Sequence, residues 1–185
     1  MMKFEKLSLP GIVLIKPEIW KDSRGSFMES YHENKYSIGG ISDKFVQDNF
    51  SFTPLIGTFR GLHFQTPPYE QAKYVKVLSG EIYDIVLDVR RNSKTYGKYK
   101  AFKLNSKEWN SLFIDIGFAH GFLTLSHDVM LYYKVSNYYS KENEFTITWN
   151  DKILNIELPF NKDKVITSEK DSFGLNFNNF ESPFI

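Results

Sequence analysis

Apolar and β-branched segments of strand length recur along the whole chain with turn residues between them, and this spacing constrains the fold most. The segments cover residues 11–16, 26–31, 44–49, 57–65, 73–78, 81–89, 98–104, 111–114, 121–125 and 130–139. The connections between them are too short for helical crossovers, which disfavours a parallel α/β sheet. The sequence therefore predicts an all-β sandwich, jelly roll or barrel.

Short helices and an irregular C-terminal tail complete the predicted organisation. One helix is expected near residues 32–38, and another near Ser168, where Ser168 and its neighbours offer capping groups. After Trp149 the chain is less periodic and more charged, so we interpret this part as a tail that covers the core. The 185 residues fit one domain, residues 1–185, that can bury a sizeable core.

Charge and composition argue against several classes of partner. The chain has 23 basic and 22 acidic side chains and a formal net charge of +1, so no general field attracts nucleic acid or a membrane surface. No apolar run approaches a membrane span, and the N-terminus lacks the apolar core of a signal peptide. The absence of cysteine excludes disulfides and thiolate chemistry. Together these features favour a soluble cytoplasmic protein.

Two histidines lie in predicted strands among apolar residues: His63 in the segment 60–65 and His120 in the segment 117–122. Polar side chains in such a setting cost free energy unless paired, so they belong to a satisfied core network or to a pocket wall. The core role is the commoner one for a lone strand histidine. Arg60 and His63 share one face only if their strand is irregular, and Gly61 between them can host a bulge.

The histidines do not form the usual metal-binding pattern of small β-barrels. That pattern has two histidines one residue apart, but Phe64 and Gln65 follow His63. Two interior histidines fall short of the usual three protein ligands. We therefore expect no bound metal, and a metal-dependent oxygenase is kept as an alternative.

The same residues fit proton transfer at carbon. Histidine is the commonest general base and needs an orienting carboxylate, which Asp84, Glu144 or Asp171 can supply. Lys73 can stabilise an oxyanion. Tyrosine stays protonated at neutral pH and so can return a proton, and four tyrosines lie within residues 132–139.

Motifs along nearly the whole chain resemble those of dTDP-4-dehydrorhamnose 3,5-epimerases. The matching segments are 22–30, 45–49, 60–65, 71–73, 80–90, 117–122, 133–134, 149–151 and 168–171. The resemblance implies a cupin-like jelly roll (double-stranded β-helix) that forms a homodimer, binds a nucleotide-sugar substrate and needs no metal or organic cofactor. It implies inversion of C3 and C5 of dTDP-4-dehydro-6-deoxy-D-glucose through an enolate, in dTDP-rhamnose biosynthesis.

The resemblance also implies roles for individual residues. His63 corresponds to the general base, Asp171 to its carboxylate partner, Tyr133 to the proton donor on the opposite face, and Lys73 to the group that stabilises the enolate. The expected nucleotide-sugar contacts are Arg24, Glu29, Gln47, Arg60, Lys73, His120, Glu144 and Lys170.

Other functions fit parts of the pattern. The substrate can be another 4-keto sugar, linked to GDP or CDP, that is epimerised at C3 alone or at both carbons. An isomerase that moves the keto group fits the same scaffold. A non-catalytic sugar-nucleotide-binding cupin is an alternative of a different class. The chain departs from the family pattern at Phe50, at residues 114–117 and at residues 146–148, and none of these changes removes a catalytic group.

Overall fold

The structure, a computed structural model that describes residues 1–185, consists mainly of antiparallel β-strands and confirms the predicted all-β class. The strands are β1 (Lys3–Lys6), β2 (Ile12–Lys16), β3 (Ile19–Asp22), β4 (Gly25–Met28), β5 (Gln47–Thr53), β6 (Phe59–Gln65), β7 (Lys73–Ser79), β8 (Glu81–Asp88), β9 (Tyr99–Asn105), β10 (Ser111–Ile114), β11 (Phe118–Thr124), β12 (Val129–Val135) and β13 (Glu144–Thr146). The α-helices are α1 (Glu33–Ile38) and α2 (Glu169–Ser172), and 3₁₀ turns lie at Lys141–Asn143, Lys162–Lys164 and Phe177–Asn179. None of these helices has the length and hydropathy that crossing a membrane requires.

Two sheets form the body of the molecule. The six-stranded sheet has the order β1-β2-β10-β7-β12-β5, and the five-stranded sheet has the order β13-β6-β11-β8-β9. A cluster of 14 buried residues, including Val75 and Val86, joins the two sheets. Val75 lies on β7 and Val86 on β8, so each sheet contributes to this shared core. The arrangement fits the predicted cupin-like jelly roll.

The C-terminal tail covers the outer face of the five-stranded sheet. Trp149, Leu154, Ile156 and Phe184 are buried there in a second cluster of 13 residues. Helix α2 begins at the predicted place. The Ser168 hydroxyl caps it by accepting a hydrogen bond from a backbone N–H of the first turn. The tail therefore anchors a short helix beside the edge of the sheet.

The outer face of the six-stranded sheet is covered by α1 and the segment before it. Tyr36 of α1 is fully buried, and its hydroxyl donates a hydrogen bond of 2.8 Å to the carbonyl of Ser30. Lys76 is also buried on this side, with Nζ 3.3 Å from the Ser30 hydroxyl oxygen and 3.3 Å from Met28 Sδ. These contacts fix the chain where it leaves the β3–β4 hairpin.

Several short strands escape sequence prediction. The sequence does not predict β1, β3 or β13, which have only three or four residues each. The predicted strand at 44–49 lies instead at Gln47–Thr53, and the one at 130–139 ends at Val135. Short edge strands contain few buried positions, so their periodicity is too weak to set their bounds.

Strand β6 is irregular at Gly61, as the sequence predicts. His120 of β11 pairs with His63, whereas Phe122 pairs with Arg60, so three steps along β6 match two steps along β11. This extra residue lets Arg60 and His63 line the same cleft. Gly61 has φ of +119°, and a Cβ atom there would lie 2.5 Å from the Cα of Gly121.

Replacing Gly61 by alanine should destabilise the fold more than the same change at Gly25. Both glycines have positive φ, so both variants bear backbone strain of about 1–3 kcal/mol. Only Gly61 meets neighbouring backbone, because a Cβ at Gly25 has nothing within 4 Å. We expect Gly61→Ala to lower the free energy of unfolding by about 1–3 kcal/mol more than Gly25→Ala, measured by urea denaturation. Equal losses in the two variants would show that the close approach to Gly121 relaxes freely.

Candidate active site

A cleft of about 290 Å³ lies between the two sheets. Six of the predicted site residues line it: Arg60, His63, His120 and Glu144 from the five-stranded sheet, and Lys73 and Tyr133 from the six-stranded sheet. Inward-facing positions of both sheets build the cleft walls, and the extra residue in β6 brings Arg60 to the same side as His63. The cleft therefore has titratable groups on two opposed walls.

His63 is paired with a carboxylate from the C-terminal tail. Its Nε2 lies 2.6 Å from Oδ1 of Asp171, whose Oδ2 accepts a hydrogen bond of 3.2 Å from the backbone N–H of Gly61. Burial raises the pKa of Asp171, but the hydrogen bonds and positive charge around it outweigh burial and leave the pKa below its usual value. An ionised carboxylate only accepts hydrogen bonds, so Nε2 of His63 holds the proton and Nδ1 is the free nitrogen.

His120 forms a second pair of this kind. Its Nε2 lies 2.8 Å from Oδ2 of Asp84, a residue of β8 that is fully buried. His120 and His63 are direct neighbours across β11 and β6. The three carboxylates that the sequence proposes as histidine partners thus have different positions: Asp171 contacts His63, Asp84 contacts His120, and Glu144 lines the cleft.

Lys73 lines the same cleft, and its Nζ donates a hydrogen bond of 3.3 Å to the carbonyl of His63. Burial lowers the pKa of Lys73 to about 8, and the charges of Glu144 and Asp84 partly oppose that effect. An amine with such a pKa is mostly protonated at neutral pH. In a desolvated site its positive charge can stabilise a developing oxyanion.

Glu144 connects the cleft to the tail. Its Oε2 lies 2.5 Å from Nζ of Lys170 and accepts a hydrogen bond of 2.8 Å from the Tyr139 hydroxyl. Burial raises the pKa of Glu144, but these bonds and the charge of Lys170 more than compensate and lower it overall. Lys170 and Asp171 are consecutive on α2, so one short helix contacts both Glu144 and His63.

Tyr133 lies on the wall opposite His63. Burial, and next the negative charge of Glu144, raise the pKa of Tyr133, while Arg60 opposes them. The phenol therefore keeps its proton well above neutral pH. This is the state that a proton donor requires.

Arg60 and Gln47 lie towards the rim. Nε of Arg60 donates a hydrogen bond of 3.1 Å to the Thr53 hydroxyl. Gln47 accepts a hydrogen bond of 3.2 Å from the backbone N–H of Tyr139 and lines a depression of about 260 Å³ beside the cleft. Gln71, Tyr133 and Tyr139 line both the depression and the cleft.

Arg24 and Glu29 neither line the cleft or the depression nor contact a predicted site residue of the cleft. Arg24 is in the turn of the β3–β4 hairpin, with a side chain that is 88% exposed and an ion pair of 2.6 Å to Asp22. Glu29 forms an ion pair of 2.7 Å with Lys35. The chain does not bring Arg24 or Glu29 to its own His63.

Sequence reasoning missed several lining residues. They are Ser51, Phe64, Gln65, Gln71, Gly121, Phe122, Leu131 and Tyr139. Period-two alternation could have found some of them, because Ser51 lies on the same face of β5 as Gln47, and Leu131 on the same face of β12 as Tyr133. No group of three or more acidic or histidine side chains in the structure could hold a metal ion.

Comparisons with known proteins agree with the motifs in the sequence. The family model for dTDP-4-dehydrorhamnose 3,5-epimerase matches residues 6–179. The chain is 42% identical, over 170 residues, to the dTDP-4-dehydrorhamnose 3,5-epimerase of Methanothermobacter thermautotrophicus, and the match covers 91% of each chain.

Two solved structures show how widely this similarity extends. The chain is similar to a dTDP-6-deoxy-D-glucose-3,5-epimerase from Legionella pneumophila in complex with dTDP-4-keto-L-rhamnose, with 37% identity, a TM-score of 0.92 and coverage of 98% of this chain and 95% of that one. It is also similar to a 3′-monoepimerase from Streptomyces bikiniensis in complex with dTDP-quinovose, with 27% identity, a TM-score of 0.82 and coverage of 91% and 84%.

Ionisation of the Asp171 carboxylate should make the free energy of unfolding depend on pH in the acid range. Because its pKa is lowered in the folded state, ionisation stabilises the fold above the unfolded value near 3.8, and this contribution is lost as pH falls through the lower folded value. Asp171→Asn should lower the free energy of unfolding at pH 7 by about 1–3 kcal/mol, measured by urea unfolding. As the pH falls below 4, the free energy of unfolding should decrease less in the variant than in the wild type. Asp163→Asn, at an exposed position, is the control. If the free energy of unfolding fell by the same amount in acid for the wild type and for Asp171→Asn, this assignment would be contradicted.

Proposed function

The chain belongs to the dTDP-4-dehydrorhamnose 3,5-epimerase family, and we propose that it inverts C3 and C5 of dTDP-4-dehydro-6-deoxy-D-glucose to give dTDP-4-dehydro-L-rhamnose. The ketone at C4 acidifies the hydrogens on both neighbouring carbons. Loss of either proton gives an enolate, and return of a proton to the other face inverts the centre. The observation that supports this best is a histidine–carboxylate pair and a tyrosine on opposed walls of one cleft.

In this proposal His63 is the base. Its Nδ1 takes the proton from carbon, the C–H electron pair moves into the enolate, and negative charge develops on the C4 oxygen. The ionised Asp171 at 2.6 Å stabilises the imidazolium that forms. The Lys73 ammonium group stabilises the enolate oxygen, and a preorganised charge in a buried site suits this role.

Tyr133 is the proton donor from the opposite face. Its phenol transfers a proton to the enolate carbon and then regains one from solvent, while His63 releases its proton to solvent. In the gluco ring the hydrogens on C3 and C5 project from the same face, so one base and one acid can serve both carbons. These steps move only protons and need no metal or organic cofactor.

The cleft also suits the proposed substrate class. The Arg60 guanidinium has the fork of donors that binds a diphosphate well. Phe122 and Leu131 add apolar surface that matches a deoxygenated C6 methyl group. The adjoining depression, with Gln47 and Tyr139, offers an amide and an exposed ring for a nucleobase.

We also propose a homodimer in which the β3–β4 hairpin reaches the cleft of a second copy. The hairpin pairs with neither main sheet, and its Phe27 is 71% exposed. The edge strand β5 exposes Phe50 and Phe52 on the outer face. Arg24, remote from the cleft of its own chain, would then supply a cation to the partner's substrate.

A second candidate function is epimerisation at C3 alone, on this or another nucleotide-linked 4-keto sugar. The similarity to a 3′-monoepimerase favours keeping it. In that case only the proton on C3 is exchanged, and His63 and Tyr133 remain the base and the acid.

Incubation with the dTDP substrate in deuterated water should place label at both C3 and C5, as read by NMR and mass spectrometry. Deuterium at C3 alone would select the second candidate, and deuterium at neither carbon would contradict epimerisation. His63→Asn and Tyr133→Phe should each lower turnover by at least about 100-fold, because each removes a proton-transfer group. His127→Asn changes an exposed histidine and serves as the control. Full turnover by His63→Asn would contradict the role of His63 as the base, whereas a wild type that binds the substrate without turnover would favour a non-catalytic binding protein.

Mixing two inactive variants should restore activity if the hairpin completes a neighbouring site. Arg24→Ala lacks the hairpin cation, whereas His63→Asn lacks the base. A mixed dimer contains one cleft with an intact base and an intact partner hairpin. Activity should return to about one quarter of the wild-type level after random exchange of subunits. A mixture that stays inactive although subunits exchange would contradict the shared site.

A further inference from the structure

The Asp84–His120 pair differs from a structural ion pair of the core. Asp84 is fully buried, and its Oδ2 lies 2.8 Å from Nε2 of His120, but its Oδ1 is buried with no hydrogen-bond partner. A buried carboxylate costs free energy unless its oxygens are satisfied. The incomplete pairing indicates that this carboxylate serves a purpose other than stability.

Asp88, four residues further along β8, is a buried carboxylate whose hydrogen bonds are complete. It is also fully buried, but both of its oxygens accept hydrogen bonds, from Arg90, Ser93 and Thr95. None of these three partners lines the cleft. Asp88 therefore holds a turn, whereas Asp84 contacts a cleft residue.

The pairing determines which nitrogen of His120 is available to a ligand. A carboxylate accepts hydrogen bonds and does not donate them, so Nε2 of His120 holds the proton. Nδ1 has no hydrogen-bond partner within the chain, and the ring lines the cleft next to His63. Nδ1 is thus left to accept a hydrogen bond from a ligand in the cleft.

We propose that Asp84 is a positioning residue that fixes the orientation and tautomer of His120, so that Nδ1 accepts a hydrogen bond from a hydroxyl group of the sugar. This role rests on the proposed function, because it presumes a hydroxylated ring between His63 and Tyr133. A hydroxyl held in this way limits rotation of the ring against the base.

The same carboxylate acts on a second group in the cleft through its charge. Asp84 and Glu144 both raise the pKa of Lys73 against the effect of burial. The other titratable or charged groups on the cleft walls are His63, His120, Tyr133, Tyr139 and Arg60. Removing the charge of Asp84 should lower the pKa of Lys73 further, so Lys73 loses its proton at a lower pH.

Asp84→Asn tests the proposal in the full-length protein. Asparagine can accept from or donate to Nε2, so both tautomers of His120 become accessible. We expect kcat/KM to fall about 10- to 100-fold and the alkaline limb of its pH profile to move to lower pH. Asp88→Asn, the matched control in the same strand, should lower thermal stability but leave the rate per folded molecule and the pH limb unchanged. A wild-type rate and pH profile for Asp84→Asn would overturn the proposal.

A measurement on the resting protein separates this proposal from the proposed function. In ¹⁵N NMR spectra of the wild type, His120 should show the Nε2-protonated tautomer, and Asp84→Asn should show a mixture. A wild-type His120 protonated at Nδ1 alone would overturn the proposal even if Asp84→Asn does not fold. Absence of label at C3 and C5 in the wild type would instead contradict the proposed function and leave the NMR comparison valid.

Discussion

The close contact between β6 and β11 at Gly61 and Gly121 is the constraint on which the site depends. A Cβ atom at Gly121 would lie 2.7 Å from the Arg60 carbonyl oxygen, so the two backbones meet without side chains between them. This contact accommodates the extra residue of β6 and turns Arg60 and His63 to one cleft. It also directs the Gly61 N–H to Asp171. One backbone irregularity therefore orients the histidine, its carboxylate and the rim cation together.

The two sheets divide the chemistry between them. The five-stranded sheet supplies His63 and His120, each with its own buried carboxylate, and the six-stranded sheet supplies Tyr133 and Lys73. Different surroundings give these groups different proton affinities, since burial holds the tyrosine protonated and brings the pKa of Lys73 to about 8. A sandwich keeps such groups apart on rigid strands, which is what reaction on two faces of a ring requires.

Local sequence patterns predict the long strands and the bulge at Gly61, because both depend on neighbouring residues. They leave open which carboxylate meets which histidine, since Asp171 and His63 are 108 positions apart whereas Asp84 and His120 are 36 apart. The path of the tail brings Asp171 to His63, whereas the pairing of β8 with β11 brings Asp84 to His120. Family motifs suggest that Arg24 contacts substrate, and the residues around it indicate a turn, but the distance of this hairpin from the cleft of its own chain follows from how the strands pair.

The order of the site residues along the chain has a consequence for biosynthesis. The strands that line the cleft end at Thr146, whereas Asp171 and Lys170 follow in the tail. A nascent chain therefore completes the cleft walls before the carboxylate that pairs with His63 is available. Translation that stops between these points, or proteolysis of the tail, would leave a cleft whose histidine lacks its carboxylate.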